Sequence, residues 1–193
     1  MKYPIAAMIL LICLAARGGN DRVKIGINAP AFSIQDQDGR NVTLAEFIGK
    51  TVVLEWFDPD CDYTKRDVAA KSSKTIAEKY KDKGVVWLAI HSTRLSNRGY
   101  NKAWIEKNEL PFPVLEDSSK TVAAKFGVDS VPYFVIVDKH GTVAYLGALD
   151  DDDSRKGEKK EGKRNYIDRA LEEITLGKGI TIPETRLYGC PLP

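Results

Sequence analysis

A chain of 193 residues with 43% hydrophobic residues is long enough to bury one core, so a single domain is the default reading. Its 29 basic and 27 acidic residues nearly cancel to +2 and are mixed along the chain, with no basic stripe carrying interleaved aromatics. That pattern gives nucleic-acid binding no support.

The first 16 residues read as a secretory signal peptide. Lys2 supplies a minimal positive region, and Ile5 to Ala16 is an uncharged apolar run too short to span a bilayer as a mature helix. Cleavage near Ala15 or Ala16 is favoured over a lipid anchor at Cys13, because bulky Ile12 precedes that cysteine. Residues 17–25, with Arg17-Gly18-Gly19-Asn20, read as a linker. The mature protein is therefore expected to be secreted or periplasmic, with no stable membrane span. Removing the signal leaves Cys61 and Cys190, and in an oxidising compartment an isolated pair is as often a redox couple as a staple.

A domain is expected over residues 26–178. Ala29 to Leu44 predicts two short strands around an Asp-Gly turn, an N-terminal hairpin extension. Thr51 to Phe57 is apolar enough for a buried central strand, and Asp58-Pro59-Asp60 breaks it. From Cys61 to about Lys81 the pattern is helical, with Val68, Ile76 and Tyr80 on one stripe and Gly84 ending the segment. Val85 to Ile90 is a second buried strand, Asn97 to Asn108 a helix, and Val114-Leu115 a short strand. Ser118 to Phe126 forms a helix closed by Gly127. Strands follow at Tyr133 to Asp138 and Thr142 to Leu146, turned by Lys139-His140-Gly141, and a last helix covers Tyr166 to Leu176. Asp150 to Arg164 reads as a solvated, mobile charged insertion, and residues 179–193 as a flexible tail carrying Cys190. The order predicts an α/β fold, a central mixed sheet flanked by helices, whose first two core strands run parallel. Chemistry on such sheets gathers at the carboxyl ends of the parallel strands.

Cys61 stands at that edge, where a strand runs out and a helix begins. Unpaired N–H groups at a helix start favour negative charge, a recognised way of lowering a thiol's pKa and making it a nucleophile. His91, at the end of the second strand, reads as a satisfied core or rim histidine. One His and one Cys do not make a metal site, and the acid run at Asp150 to Asp153 lacks the spacing of a calcium loop, so no metal or cofactor is expected.

Three segments in order, Gly26-x-x-Ala29-Pro30-x-Phe32-x-Ile34-x-Asp36-x-x-Gly39, the strand leading to Cys61, and Gly127-Val128-x-x-Val131-Pro132, resemble the thioredoxin superfamily. The likeness is to its redoxin branch of alkyl hydroperoxide reductases, thiol-specific antioxidants (AhpC/TSA) and cytochrome-maturation proteins, and it covers Gly26 to Leu176. It implies a thioredoxin-like fold with Cys61 as the redox-active cysteine and Pro132 as a cis-proline whose neighbour Val131 presents backbone to a substrate chain. It also implies that Glu55, six residues before Cys61, is a buried proton-relay acid; the alternative is an exposed carboxylate on a twisted strand. Cys61-Asp62-Tyr63-Thr64 departs from the family's Cys-x-x-Cys, so no resolving thiol lies in this loop. Thr64 either donates to the Cys61 thiolate or bonds backbone in the first helical turn. Lys65 and Arg66 favour a thiolate, while Asp60 and Asp62 oppose it. Asp58 stands where peroxiredoxins place a threonine, which argues against efficient peroxide reduction.

Cys190 supplies the missing partner as a resolving cysteine; a permanent bridge and an unpaired thiol are the other readings. The expected activity is thiol–disulfide exchange through Cys61 with protein or small-molecule thiols and disulfides. A thiol peroxidase acting on peroxide and a non-catalytic binding module are the alternatives.

Overall fold

A computed structural model describes residues 23–154 and 164–193. The expected signal peptide, Cys13, most of the linker and residues 155–163 of the charged insertion lie outside the described residues.

The chain opens with a hairpin, β1 (Ser33–Gln35) paired antiparallel to β2 (Asn41–Thr43). The Asp36 carboxylate accepts from the N–H groups of Asp38 and Arg40, both at 2.9 Å, and so fixes the turn between them. A 3₁₀ turn (Leu44–Phe47) leads to β3 (Thr51–Phe57), in which every residue is buried. Such a strand must have both faces covered, and it is the centre of the sheet.

Next come α1 (Asp62–Ala69), α2 (Ser72–Tyr80), β4 (Val85–His91), α3 (Arg98–Asn108), β5 (Val114–Glu116), α4 (Thr121–Phe126), β6 (Ser130–Val131), β7 (Tyr133–Val137), β8 (Val143–Gly147), α5 (Tyr166–Thr175) and β9 (Cys190–Pro191). The main sheet runs β5-β4-β3-β7-β8, with β3, β4 and β5 parallel and β7 and β8 antiparallel to their neighbours. Alternation along β3 splits the core. Val52, Leu54 and Trp56 face α4 and the N-terminal segment; Val53 and Phe57 face α2 and α5. Glu55 shares the second face.

Three expectations need correcting. The helix from Cys61 to Lys81 is two helices, broken at Lys71, whose φ of 53° is left-handed. The break re-aims the second half so that Ser73, Ile76 and Tyr80 all turn inward, Ser73 onto Glu55. Asp150 and Asp152 are not solvated: they are 1% and 3% exposed and surround the Arg66 guanidinium. Nor is the tail loose. Leu146 N–H donates to Pro183 O (3.0 Å), Thr185 N–H donates to Leu146 O (3.1 Å), and β9 pairs with β6. At Gly147, φ +146°, an added Cβ would fall 2.0 Å from Thr185 Oγ1, so only glycine lets the tail lie this close. Among the described residues, no helix is long and apolar enough to cross a membrane.

Candidate active site

Cys61 is the N-cap of α1, in extended backbone, immediately before the helix rather than in its first turn. Three residues separate it from the end of β3. The Asp58 side chain accepts from Asp60 N–H (2.9 Å) and the Asp58 carbonyl from Cys61 N–H (3.1 Å), so the Asp58-Pro59-Asp60 breaker is also the turn that sets the cysteine in place. The Cys61 sulfur is bonded to that of Cys190, with S–S 2.09 Å and Cα–Cα 5.8 Å across a separation of 129 residues. It also lies 3.4 Å from the carbonyl oxygen of Val131, which precedes Pro132 in a cis peptide bond. Cys61 is 2% exposed, with tail residues Leu187, Cys190 and Leu192 packed against its cluster. Thus Cys61, Pro132 and Cys190 come together.

The tail is held beside this bond by a cluster that the sequence reading missed. Arg66, one turn into α1, bonds Asp67 Oδ1 through Nε (3.0 Å) and Nη2 (2.9 Å), and reaches Asp150 Oδ1 (3.4 Å). It also donates to the carbonyl oxygens of Asp152 and Ser154. It is bonded to Tyr188 as well, whose hydroxyl accepts from Nη2 (3.0 Å) and donates to Asp150 Oδ1 (2.5 Å). The guanidinium also lies 5.3 Å from the Tyr188 ring centre and 5.7 Å from that of Tyr63, and the two rings are 5.3 Å apart. Burial works against the Arg66 charge, but Asp67, Tyr188 and Asp150 more than offset it and hold its pKa above the ordinary value. Burial and then the Asp150 charge push the Tyr188 phenol upward. The only signal in the sequence was Tyr188 two residues before Cys190; nothing local tied it to Arg66.

Glu55 and Thr64 sit on another side of Cys61's helix start. Glu55 is 9% exposed, accepting from Trp87 Nε1 (2.7 Å) and Ser73 Oγ (3.0 Å), which excludes the exposed-carboxylate reading. Burial pushes its carboxyl up to about 7 against those two hydrogen bonds, with Asp67 adding a small upward push. Thr64 is 3% exposed and its hydroxyl has no hydrogen-bond partner. Both residues, with Asp67, line a cavity of about 30 Å³, room for a water or two. Thr64 therefore bonds neither sulfur nor backbone.

Other candidates are occupied. Lys65 donates to Asp60 O (2.7 Å) and pairs loosely with Asp62 (3.8 Å). His91, fully buried, bonds Asn101 (2.8 Å) and Thr93 (2.8 Å) and stacks on Phe57, and burial lowers its pKa. Among the described residues no cluster of His, Cys, Asp or Glu could hold a metal ion.

Residues 25–146 match the AhpC/TSA family. Peroxiredoxin Q, chloroplastic, of Triticum aestivum is 33% identical over 136 residues, covering 65% of this chain and 59% of that protein. The thiol-disulfide oxidoreductase ResA of Bacillus thuringiensis is 28% identical over 123 residues, 64% and 69% of the two chains. The chain thus spans about three-fifths of the first of these relatives. Among solved structures, the thioredoxin domain of a thiol-disulfide oxidoreductase from Bacteroides vulgatus superposes with a TM-score of 0.56 at 22% identity, covering 64% of this chain and 88% of that one. The fold is thioredoxin-like.

Proposed function

We propose that this chain, which belongs to the AhpC/TSA family, is a thiol–disulfide oxidoreductase whose redox couple is Cys61 and Cys190. The observation that carries the reading is the bond between those two sulfurs, made at a helix start and beside the Val131 carbonyl. In the direction written here, the Cys61 thiolate attacks a partner disulfide. One S–S bond forms to the partner, and the partner's second sulfur leaves as a thiolate that takes up a proton. Cys190 then attacks Cys61, forming the internal disulfide and releasing the partner's first sulfur, also to be protonated. Two electrons pass from the protein to the partner, and an external dithiol returns them.

Glu55, poised near neutrality, is the proton-holding group on the inner side, and it shares its cavity with Thr64. Its relay role differs from that in a Cys-x-x-Cys loop, because the resolving thiol here arrives from the tail. The signal-like N-terminus supports an extracytoplasmic setting, where such a disulfide persists.

A relative named peroxiredoxin Q favours a second reading, reduction of peroxide with Cys61 passing through a sulfenic acid. Asp58 opposes it: its carboxylate stands where a donor to peroxide is wanted and is itself accepting from Asp60. The deciding experiment compares two turnovers of the full chain: dithiothreitol-driven reduction of a disulfide-bonded reporter protein, and hydrogen peroxide consumption. Wild type is expected to accelerate the first, Cys61→Ser to abolish it, and Cys190→Ser to accumulate a mixed disulfide visible by mass. Rapid peroxide consumption without reporter reduction would overturn the assignment in favour of the peroxidase.

A further inference from the structure

The segment Tyr188 to Leu192 lies antiparallel along residues 129–131. Val131 is in register with Cys190 and Ser130 with Pro191, and Leu192 N–H donates to Asp129 O at 2.9 Å. Backbone pairing of this kind accepts any sequence, so selectivity must come from side chains. Two positions supply it. At Gly189, φ +152°, an added Cβ would fall 2.2 Å from the carbonyl oxygen of Val131 and 2.8 Å from its carbon. Those are backbone atoms that also face the reactive sulfur, so they cannot swing aside as a side chain would. At Tyr188, the ring meets Tyr63 and the Arg66 guanidinium, and the hydroxyl reaches Asp150 and Arg66. Cys61 is buried in the core cluster with Leu187, Cys190 and Leu192 packed against it, so a partner reaches its sulfur where the tail now lies.

We propose that the seat of the tail, where the family resemblance puts a partner's backbone, selects an extended tyrosine–glycine–cysteine segment, for which Tyr188-Gly189-Cys190 is the resident stand-in. The inference rests on the exchange reading above and specifies its substrate class. A partner cysteine delivered to Cys61 passes the Val131 carbonyl, so the residue before it must be glycine. A tyrosine before that fills the place Tyr188 vacates, its ring restoring the contacts with Tyr63 and Arg66 and its hydroxyl those with Asp150 and Arg66. The preferred partner is thus a chain segment rather than a small thiol, and it competes with the tail for one site.

A competition at equilibrium tests this without depending on how readily the tail departs. Full-length Cys190→Ser, held in a glutathione buffer, is offered equimolar pairs of synthetic peptides. Each adduct forms by exchange: the peptide thiol displaces glutathione from Cys61, and glutathione leaves as the thiol. Leu-Tyr-Gly-Cys-Pro-Leu is paired first with its Gly→Ala form and then with its Tyr→Ala form, and the adducts are counted by mass spectrometry. The expected ratios are at least tenfold for glycine and at least fivefold for tyrosine. Ratios within twofold would overturn the groove's selectivity while leaving the exchange reading intact, provided that a small aromatic disulfide still labels Cys61. The same holds if neither peptide forms an adduct but the small disulfide does. If nothing labels Cys61, the exchange reading itself fails and this inference falls with it.

Discussion

Glu55 shows at the scale of one residue how folding sets a proton's affinity. Burial lifts its carboxyl from 4.5 to about 7. A carboxyl raised by folding stabilises the native state below its unfolded pKa, and that contribution is lost as pH rises from about 4.5 through 7. The loss is ~3 kcal/mol on the linkage relation. Glu55→Gln cannot ionise, so its urea-unfolding stability is expected to lack this decline between pH 5 and 8; an equal decline in both proteins would assign the slope to other groups. The pH profile of Cys61 alkylation in the reduced protein is expected to lose an inflection near 7 in the same variant, because the carboxylate no longer appears behind the thiol. Gly189→Ala is expected to shift the glutathione equilibrium of the internal disulfide at least ~10-fold toward the dithiol, about 1.4 kcal/mol, and an unchanged equilibrium would show that the tail can shift to make room. Glu55 and Gly189 differ in legibility. A carboxylate within Val-Val-Leu-Glu-Trp-Phe announces its own burial, whereas the demand on residue 189 is made by a carbonyl 58 positions earlier in the chain.

Among elements, the apolar stripe of Val68, Ile76 and Tyr80 continues across the break between α1 and α2, so the sequence reads as one helix there. No glycine or proline marks Lys71, and the cost of its left-handed backbone is met by Ser73 and Tyr80 reaching the core. Lys71→Gly relieves that backbone at the expense of a more flexible unfolded chain. A net gain of ~0.5 kcal/mol in unfolding free energy is expected, and a loss would mean that the lysine side chain itself holds the junction. The tail strap depends on one aromatic residue at its middle. With the disulfide reduced, amide exchange over residues 188–192 is expected to quicken at least ~10-fold in Tyr188→Ala relative to wild type, since the two hydrogen bonds and the guanidinium stacking together are worth a few kcal/mol. Equal exchange rates would show that the β6–β9 pairing and the contacts at residues 183–185 hold the strap without Tyr188. The Arg66 box could not be seen in the sequence because its members lie on three segments. The run Asp150 to Asp153, taken alone, looks like any solvated acid patch.

For the whole molecule, the order of elements was legible because each apolar run alternates or fills in the way its neighbours require, and β3 through β8 follow that order without a swap. What stayed hidden was long-range closure, the tail returning across the sheet end to Cys61. That closure joins residues 129 apart, and its effect on the unfolded chain amounts to about 5 kcal/mol. Reduction is therefore expected to lower the urea midpoint markedly while the fold persists, held by the anchors at residues 183–185 and at Tyr188. Complete unfolding on reduction would show the disulfide to be a staple rather than half of a cycle. The tight passage at Gly189 has one more effect. A bulky alkylating reagent given to the freshly reduced protein is expected to reach the partly exposed Cys190 before the covered Cys61, and the cap then needs the room that the Cys61 sulfur fills in the disulfide. Brief chemical capping thereby removes the internal resolving thiol, leaving a protein that holds a captured cysteine-bearing chain until an external thiol frees it.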